Sequence, residues 1–245
     1  GGLARAFGEA LGRFSAVSVR ESSGVSICAE NWGVPAEHVL DPTMLVEADD
    51  WRRLYRTSPS APEPQRGRNL AYLVLDPSWE LWAASRDFAR RSSLEFKEFY
   101  PPHLRSRRQF RSAGDALTLP PVEEWLREID EASVVVTDSF HVTVFCLLFS
   151  TPFVLLRNPV RGNARLDSLL GQFGLGTAHA LASAEELERL RRVPAFDWHA
   201  ISVKLAARRA QSWAYLRRAL PATRRYRSAA TASSPNAQLS PETGK

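Results

Sequence analysis

Between residues 134 and 156 the chain passes through three apolar blocks: Val134-Val135-Val136, Val142 to Phe149, and Phe153-Val154-Leu155-Leu156. The outer two are short and β-branched or aromatic, the pattern of strands. The middle block is apolar on every side, so a helix there has no face to give to water. Strands with one wet face alternate, whereas strands apolar throughout are covered on both faces and belong to parallel sheets with crossover helices. Thr151-Pro152 stops the helix before the second strand begins. The chain is therefore expected to be α/β, with a Rossmann-like, doubly wound parallel sheet.

The rest of the chain can be threaded onto that frame. At 245 residues, with 44% hydrophobic and 24% charged residues, it is long enough to bury a real core. Ala16-Val17-Ser18-Val19 reads as a short buried strand. A helix follows, capped by Ser22, with Val25, Cys28, Ala29 and Trp32 at helical spacing and Gly33 as its stop. Val39-Leu40 opens a second strand that ends at Asp41-Pro42. Residues 57–69, rich in Pro and Ser, form a loop, and Ala71 to Leu75 is again strand-like. A helix over Glu80 to Arg91 and a strand at Leu94-Glu95-Phe96 come next. Val122, Trp125, Leu126 and Ile129 share one helix face ahead of Val134. Ser183 and Glu186 make a capping box, and Asp197 caps a helix carrying Ile201, Leu205, Leu216 and Leu220. Trp32, Trp125 and Trp213 are expected in the core. Residues 221–245 lack apolar periodicity and read as a disordered tail.

Composition removes several classes of function. The net charge of +5 comes from 32 basic against 27 acidic residues, and lysine occurs only at Lys97, Lys204 and Lys245. No basic run is interleaved with aromatics, so no nucleic-acid partner is expected. The Arg105-Ser106-Arg107-Arg108 cluster could still hold an anion. Cys28 and Cys146 lie among apolar residues and lack the spacing of a zinc site, so neither metal nor disulfide is expected. The longest apolar run falls far short of the ~20 residues that cross a bilayer. A cytoplasmic protein is the reading that follows. The chain starts at Gly1-Gly2, with its single methionine at Met44. Gly1 is therefore not expected to be a translated initiator; residues 1–12 are expected to be the remnant of an inter-domain segment, a reading that rests on the resemblance given below, ahead of one domain over residues 13–220.

Ligands of open parallel sheets gather at the carboxyl ends of strands, where helix amino termini offer free N–H groups. Arg20 stands directly after the first strand. Thr137-Asp138-Ser139-Phe140-His141 stands between the strand at Val134 and the apolar helix, with Thr143 one turn in. A helix so apolar has no structural need of histidine in its first turn, although Ser139 or Thr137 could serve only as a cap. Asp138 is expected to be structural, since a carboxylate beside an anion site would repel the ligand unless it orients an amide or the histidine. His38, His103, His179 and His199 belong to no such cluster. Trp79 and Trp82 could stack on a sugar ring but read first as packing residues. Arg157 and Arg161 flank a loop at another strand end.

These residues resemble one family. Ser18-Val19-Arg20-Glu21, Leu40-Asp41-Pro42-Thr43, Asp138-Ser139-Phe140-His141 with Thr143-Val144-Phe145, Pro152-Phe153, and Arg165 with Ser168-Leu169-Leu170 are similar, in order and spacing, to the polysaccharide pyruvyltransferases. The resemblance runs from about Arg13 to Leu220 and points to the carboxyl-terminal half of such an enzyme, one of two Rossmann-like halves arranged as in GT-B glycosyltransferases. It implies transfer of a pyruvyl group from phosphoenolpyruvate to a saccharide acceptor in cell-surface polysaccharide synthesis. No further cofactor is implied, and the partner would be an amino-terminal domain. By the same resemblance Arg20 and His141 contact phosphoenolpyruvate, with His141 as the catalytic residue, and Ser139, Thr143 and Arg165 belong to the substrate site. An imidazole could protonate the enol carbon or neutralise the departing phosphate. Val142 stands where the family has glycine, and Gly176-Thr177 where an arginine is usual. A nucleotide-sugar glycosyltransferase and a half-domain binding module are the rival readings.

Overall fold

The computed structural model describes residues 2–56, 67–99 and 120–220. The first stretch holds α1 (Gly2–Leu11), β1 (Ser18–Val19), α2 (Ser22–Trp32), β2 (Glu37–His38), a 3-10 turn over Pro42–Leu45, and α3 (Ala48–Arg56). The second adds β3 (Asn69–Leu73), α4 (Trp79–Arg91) and β4 (Glu95–Glu98). The third runs through α5 (Val122–Glu131), β5 (Val134–Thr137), α6 (Phe140–Phe149), β6 (Phe153–Leu156) and α7 (Ala164–Phe173). It finishes with β7 (Ala180–Leu181), α8 (Ala184–Arg189) and α9 (Trp198–Ala219).

Five strands form one sheet in the order β4-β3-β5-β6-β7, every neighbouring pair parallel. Side chains of successive strand residues point to opposite faces, and each face has its own core. Ala71, Leu73, Val135, Phe153 and Leu155 pack with α5, α6, α7 and α9. Leu70, Tyr72, Val134, Val136, Val154 and Leu156 pack with α4 and α8. This double covering explains the absence of alternation in β5 and β6. α6 lies inside the first core, and every one of its residues is buried except His141.

The chain leaves β3 toward β4 on one side, then returns to β5 and continues to β6 and β7 on the other. The reversal between β3 and β5 is a topological switch point, where the loops that leave the two strands diverge and open a crevice.

Two sequence expectations are corrected, the strand at Ala16–Val19 and the burial of Trp213. The segment at Ala16–Val19 is not a buried strand of the main sheet. Only Ser18 and Val19 are extended, Ser18 is exposed, and they pair in parallel with Glu37 and His38 in a separate two-stranded sheet. Residues 2–11 are a helix docked on α2: Phe7 lies 4.9 Å from Trp32, whose Nε1 donates to the Ala4 carbonyl (2.8 Å). A Cβ on Gly8 would sit 2.4 Å from the Trp32 ring, so only glycine allows this approach. Trp213 is 43% exposed, whereas Trp125 meets Phe145 edge-on at 5.2 Å as a packing residue should. Ser183 caps α8 as expected, accepting from the Glu186 amide (3.4 Å), while the Glu186 carboxylate returns to the Ala182 amide (2.7 Å). The loop over residues 57–66, the basic cluster at 105–108, His103 and the tail at 221–245 lie outside the described residues.

Candidate functional site at the strand ends

The turn from β5 into α6 is built by short-range hydrogen bonds. The Thr137 hydroxyl donates to the Leu73 carbonyl (2.7 Å) and accepts from the Ser139 amide (3.0 Å), tying β5 to β3. The Ser139 hydroxyl caps α6 by accepting from the Val142 amide (3.5 Å). Thr143, fully buried, donates to the Ser139 carbonyl (2.9 Å). Both hydroxyls thus serve the turn, and what the turn presents is His141, with 54% of its side chain exposed. Val142 points into the core, so its Cβ does not occupy the crevice.

Arg20 and His141 meet on one carboxylate. Arg20 Nη1 donates to Asp41 Oδ2 (2.7 Å), and His141 Nε2 lies 3.9 Å from the same oxygen. The guanidinium sits over the Phe140 ring at 4.5 Å, which fixes its plane. Asp41 Oδ1 accepts from the Thr43 amide (3.0 Å) and from the Thr43 hydroxyl. Burial alone would raise the Asp41 pKa, but the hydrogen bonds from Thr43 and Arg20 together outweigh it and bring the carboxyl below its ordinary value. One of the five guanidinium N–H directions is spent on Asp41. Nε and Nη2 of Arg20 have no hydrogen bond among the described residues and remain as a fork for a planar anion.

Arg165 lies in the first turn of α7, half-buried, with its Nε enclosed and without a hydrogen-bond partner among the described residues. One turn further along α7, Ser168 accepts from the Ser22 amide (2.8 Å), which sets this helix against the start of α2 just beyond Arg20.

A second polar group fills the switch point. Asp138 accepts from the amides of Leu75 (2.6 Å) and Asp76 (3.1 Å). The Asn158 amide donates to Asp138 and Asp76, both at 2.8 Å, while its oxygen accepts from the amides of Val160 (3.1 Å) and Arg161 (3.2 Å). Arg161 pairs with Asp76, with Nη2 donating to Oδ1 at 3.1 Å. The chain ends of β3, β5 and β6 are therefore stitched together by one amide, and Asp138 does orient an amide. Arg157 is drawn aside to Asp167 (2.8 Å). Trp79, 59% exposed, stacks on Trp82 (4.8 Å) at the first position of α4, on the same strand-end side.

Sequence reasoning passed over Asp41 as a site residue and over Asn158 altogether. An Asp-Pro pair at a strand end reads as a stop, and nothing local in residues 40–43 shows that the carboxylate will meet residues 20 and 141. His179 is engaged elsewhere, with Nε2 near the Ala195 carbonyl (3.0 Å) and its ring against Phe196. Among the described residues no group of three or more His, Cys, Asp or Glu is placed to hold a metal. Cys28 and Cys146 are both buried and unbridged, and burial pushes the Cys146 thiol up.

The fold and the strand-end site define a doubly wound α/β protein with an arginine and a histidine converging on one carboxylate. The family profile described as Polysaccharide pyruvyl transferase matches residues 1–159 of this chain. The chain belongs to that family. The match begins before and ends before the span of about Arg13 to Leu220 on which the sequence resemblance was placed. It takes in Arg20, Asp41, Ser139, His141 and Thr143, and leaves Arg165, α7 and α9 beyond its end. No curated protein matches the chain.

Proposed function

We propose that this chain binds phosphoenolpyruvate at the Arg20–Asp41–His141 crevice and contributes to its transfer, as a pyruvyl ketal, to a saccharide. The observation that carries the reading is the convergence of Arg20 and His141 on Asp41 Oδ2, with His141 exposed, inside the segment matched by the family profile. Phosphoenolpyruvate is a compact dianion or trianion with a planar carboxylate, and a guanidinium with two free donor directions suits it. In ketal formation the enol carbon gains a proton and the adjacent carbon becomes electrophilic. Two sugar hydroxyls bond to that carbon, each losing its proton, and the C–O bond to phosphate breaks to release inorganic phosphate. His141 is the acid in this reading, delivering a proton to the enol carbon or to the departing phosphate. Arg20 and Arg165 hold the anion, and Ser139 and Thr143 support it from behind by fixing the α6 terminus.

The chemistry needs no resident cofactor, because the donor carries its own leaving group. Trp79 is the ring assigned to the acceptor sugar. A second Rossmann-like half facing this edge, as in a GT-B arrangement, would close the crevice, and a cytoplasmic location would supply the donor. Among the described residues no helix is long and apolar enough to cross a membrane. The test is calorimetric titration of the chain with phosphoenolpyruvate and, in parallel, with a panel of nucleotide sugars. Saturable binding of phosphoenolpyruvate that weakens in Arg20→Lys supports the reading. Binding of a nucleotide sugar with no response to phosphoenolpyruvate overturns it in favour of a glycosyltransferase.

A further inference from the structure

His38 lies in β2 directly opposite Val19 in the parallel register, so its ring stands beside the turn on which Arg20 leaves β1. Its two nitrogens have different partners. Nδ1 is 3.1 Å from Arg208 Nη2, and Nε2 is 3.3 Å from the Arg20 carbonyl oxygen. A guanidinium has only donors, so Nδ1 must offer its lone pair and the ring proton of the neutral imidazole must sit on Nε2, where the Arg20 carbonyl accepts it. Arg208 is itself fixed, donating to Gln172 of α7 (3.2 Å) and to Gln211 of α9 (3.0 Å). One turn along α9, Ser212 accepts from the Leu40 amide (3.0 Å), next to Asp41. The same helix thus braces the backbone beside both members of the Arg20–Asp41 pair.

We infer that His38 is a positioning residue for the anion site: locked by Arg208 as the Nε2–H tautomer, it holds the Arg20 carbonyl and so sets the direction of the Arg20 side chain, and a proton added at Nδ1 breaks the contact with Arg208 that locks the ring in place. The charged group facing the ring from α9 is Arg208, and Arg20 faces it from the end of β1. The neighbouring Glu37 is turned to Arg218 (2.8 and 2.9 Å), and among the described residues no carboxylate pairs with His38. A second ring proton would sit against a guanidinium with nothing to offset it. Burial first and Arg208 second lower the pKa of His38 from the ordinary 6.5, in agreement with this geometry. The brace comes from α9, beyond the end of the family match, so it is not part of the matched site. That positioning Arg20 matters for phosphoenolpyruvate rests on the function proposed above.

Two measurements on the full chain separate this inference from that function. Nitrogen-15 NMR of histidine-labelled protein reads the tautomer and titration of His38 with no ligand present. The expected result is Nε2–H with a midpoint below 6.5, moving upward in Arg208→Met. An Nδ1–H tautomer, or a midpoint unchanged by Arg208→Met, overturns the lock. Kinetics or titration with phosphoenolpyruvate then reads its consequence. His38→Gln keeps an acceptor for Arg208 and a donor for the Arg20 carbonyl, so its apparent affinity stays close to wild type and loses the decline toward acid pH. His38→Leu, which keeps neither, raises KM about tenfold with kcat little changed. Equal KM in His38→Leu and wild type overturns the positioning role. If the wild type shows no saturable response to phosphoenolpyruvate, the proposed function fails, and amide exchange at Glu21 decides the lock alone: faster exchange in His38→Leu supports it, and unchanged exchange overturns it.

Discussion

At the residue scale the site depends on how one carboxylate divides its oxygens. Asp41 gives Oδ1 to Thr43 and Oδ2 to Arg20, and His141 stands near the second oxygen. Arg20→Lys keeps a cation for Asp41 but loses the planar fork. KM for phosphoenolpyruvate is expected to rise about tenfold, equivalent to ~1.4 kcal/mol, with the fold intact. His141→Gln preserves size and hydrogen bonding but cannot deliver a proton, and is expected to lower turnover by roughly 10²–10⁴ with an unchanged melting temperature. Since His141 is the exposed residue of α6, a packing role would show the opposite pattern. Stopped assays of phosphate release beside thermal melts distinguish the two. The Arg20 and His141 positions were readable from sequence because each follows a strand, but the carboxylate between them was not. Its distance from both is a property of how β2 is held.

At the element scale, α6 and the switch point carry the precision of the site. Val142 fills core space rather than crevice. Val142→Gly therefore opens a cavity and adds the helical cost of glycine, and is expected to lose about 2–4 kcal/mol in urea unfolding without improving affinity for phosphoenolpyruvate. Improved affinity would show that the side chain obstructs the ligand after all. Asn158 offers both amide protons to carboxylates and its oxygen to two backbone amides. Asn158→Ala leaves Asp138 and Asp76 facing each other across the β3–β5 crevice without that donor. A loss of about 2–3 kcal/mol is expected, with faster amide exchange at Leu75 and Asp76. Unchanged exchange there would mean that the turn does not depend on the amide.

For the whole molecule, acid should act in two stages. His38 has a lowered pKa in the folded state, so the unfolded chain takes up its proton first as pH falls below 6.5. Its contribution is complete above that value and declines below it. Asp41 is likewise held below its ordinary 3.8, so its contribution is complete above that value and is lost as pH falls through the lower folded value. Melting temperature against pH should fall first below 6.5 and again below 3.8, and His38→Gln should remove the first fall only. A first fall that persists in His38→Gln would assign it to another group.

The sequence by itself determined the class of fold and the edge of the sheet on which chemistry is possible. Apolar blocks of strand, helix and strand between Val134 and Leu156 have one physical solution, burial on both faces of a parallel sheet, and a histidine at the mouth of such a helix has nowhere to go but outward. Periodicity also marked α5 and α9, because a helix on a core must keep one face apolar. Periodicity could not reveal that β1 and β2 leave the main sheet, since two extended residues carry no pattern. Nor could it reveal that α9 reaches back over 170 positions to His38 and 172 to Leu40. The tertiary structure alone decided that Asp41 unites Arg20 with His141 and that Asn158 joins three strand ends. Contacts between residues distant in sequence are fixed by packing, and no local spacing encodes them.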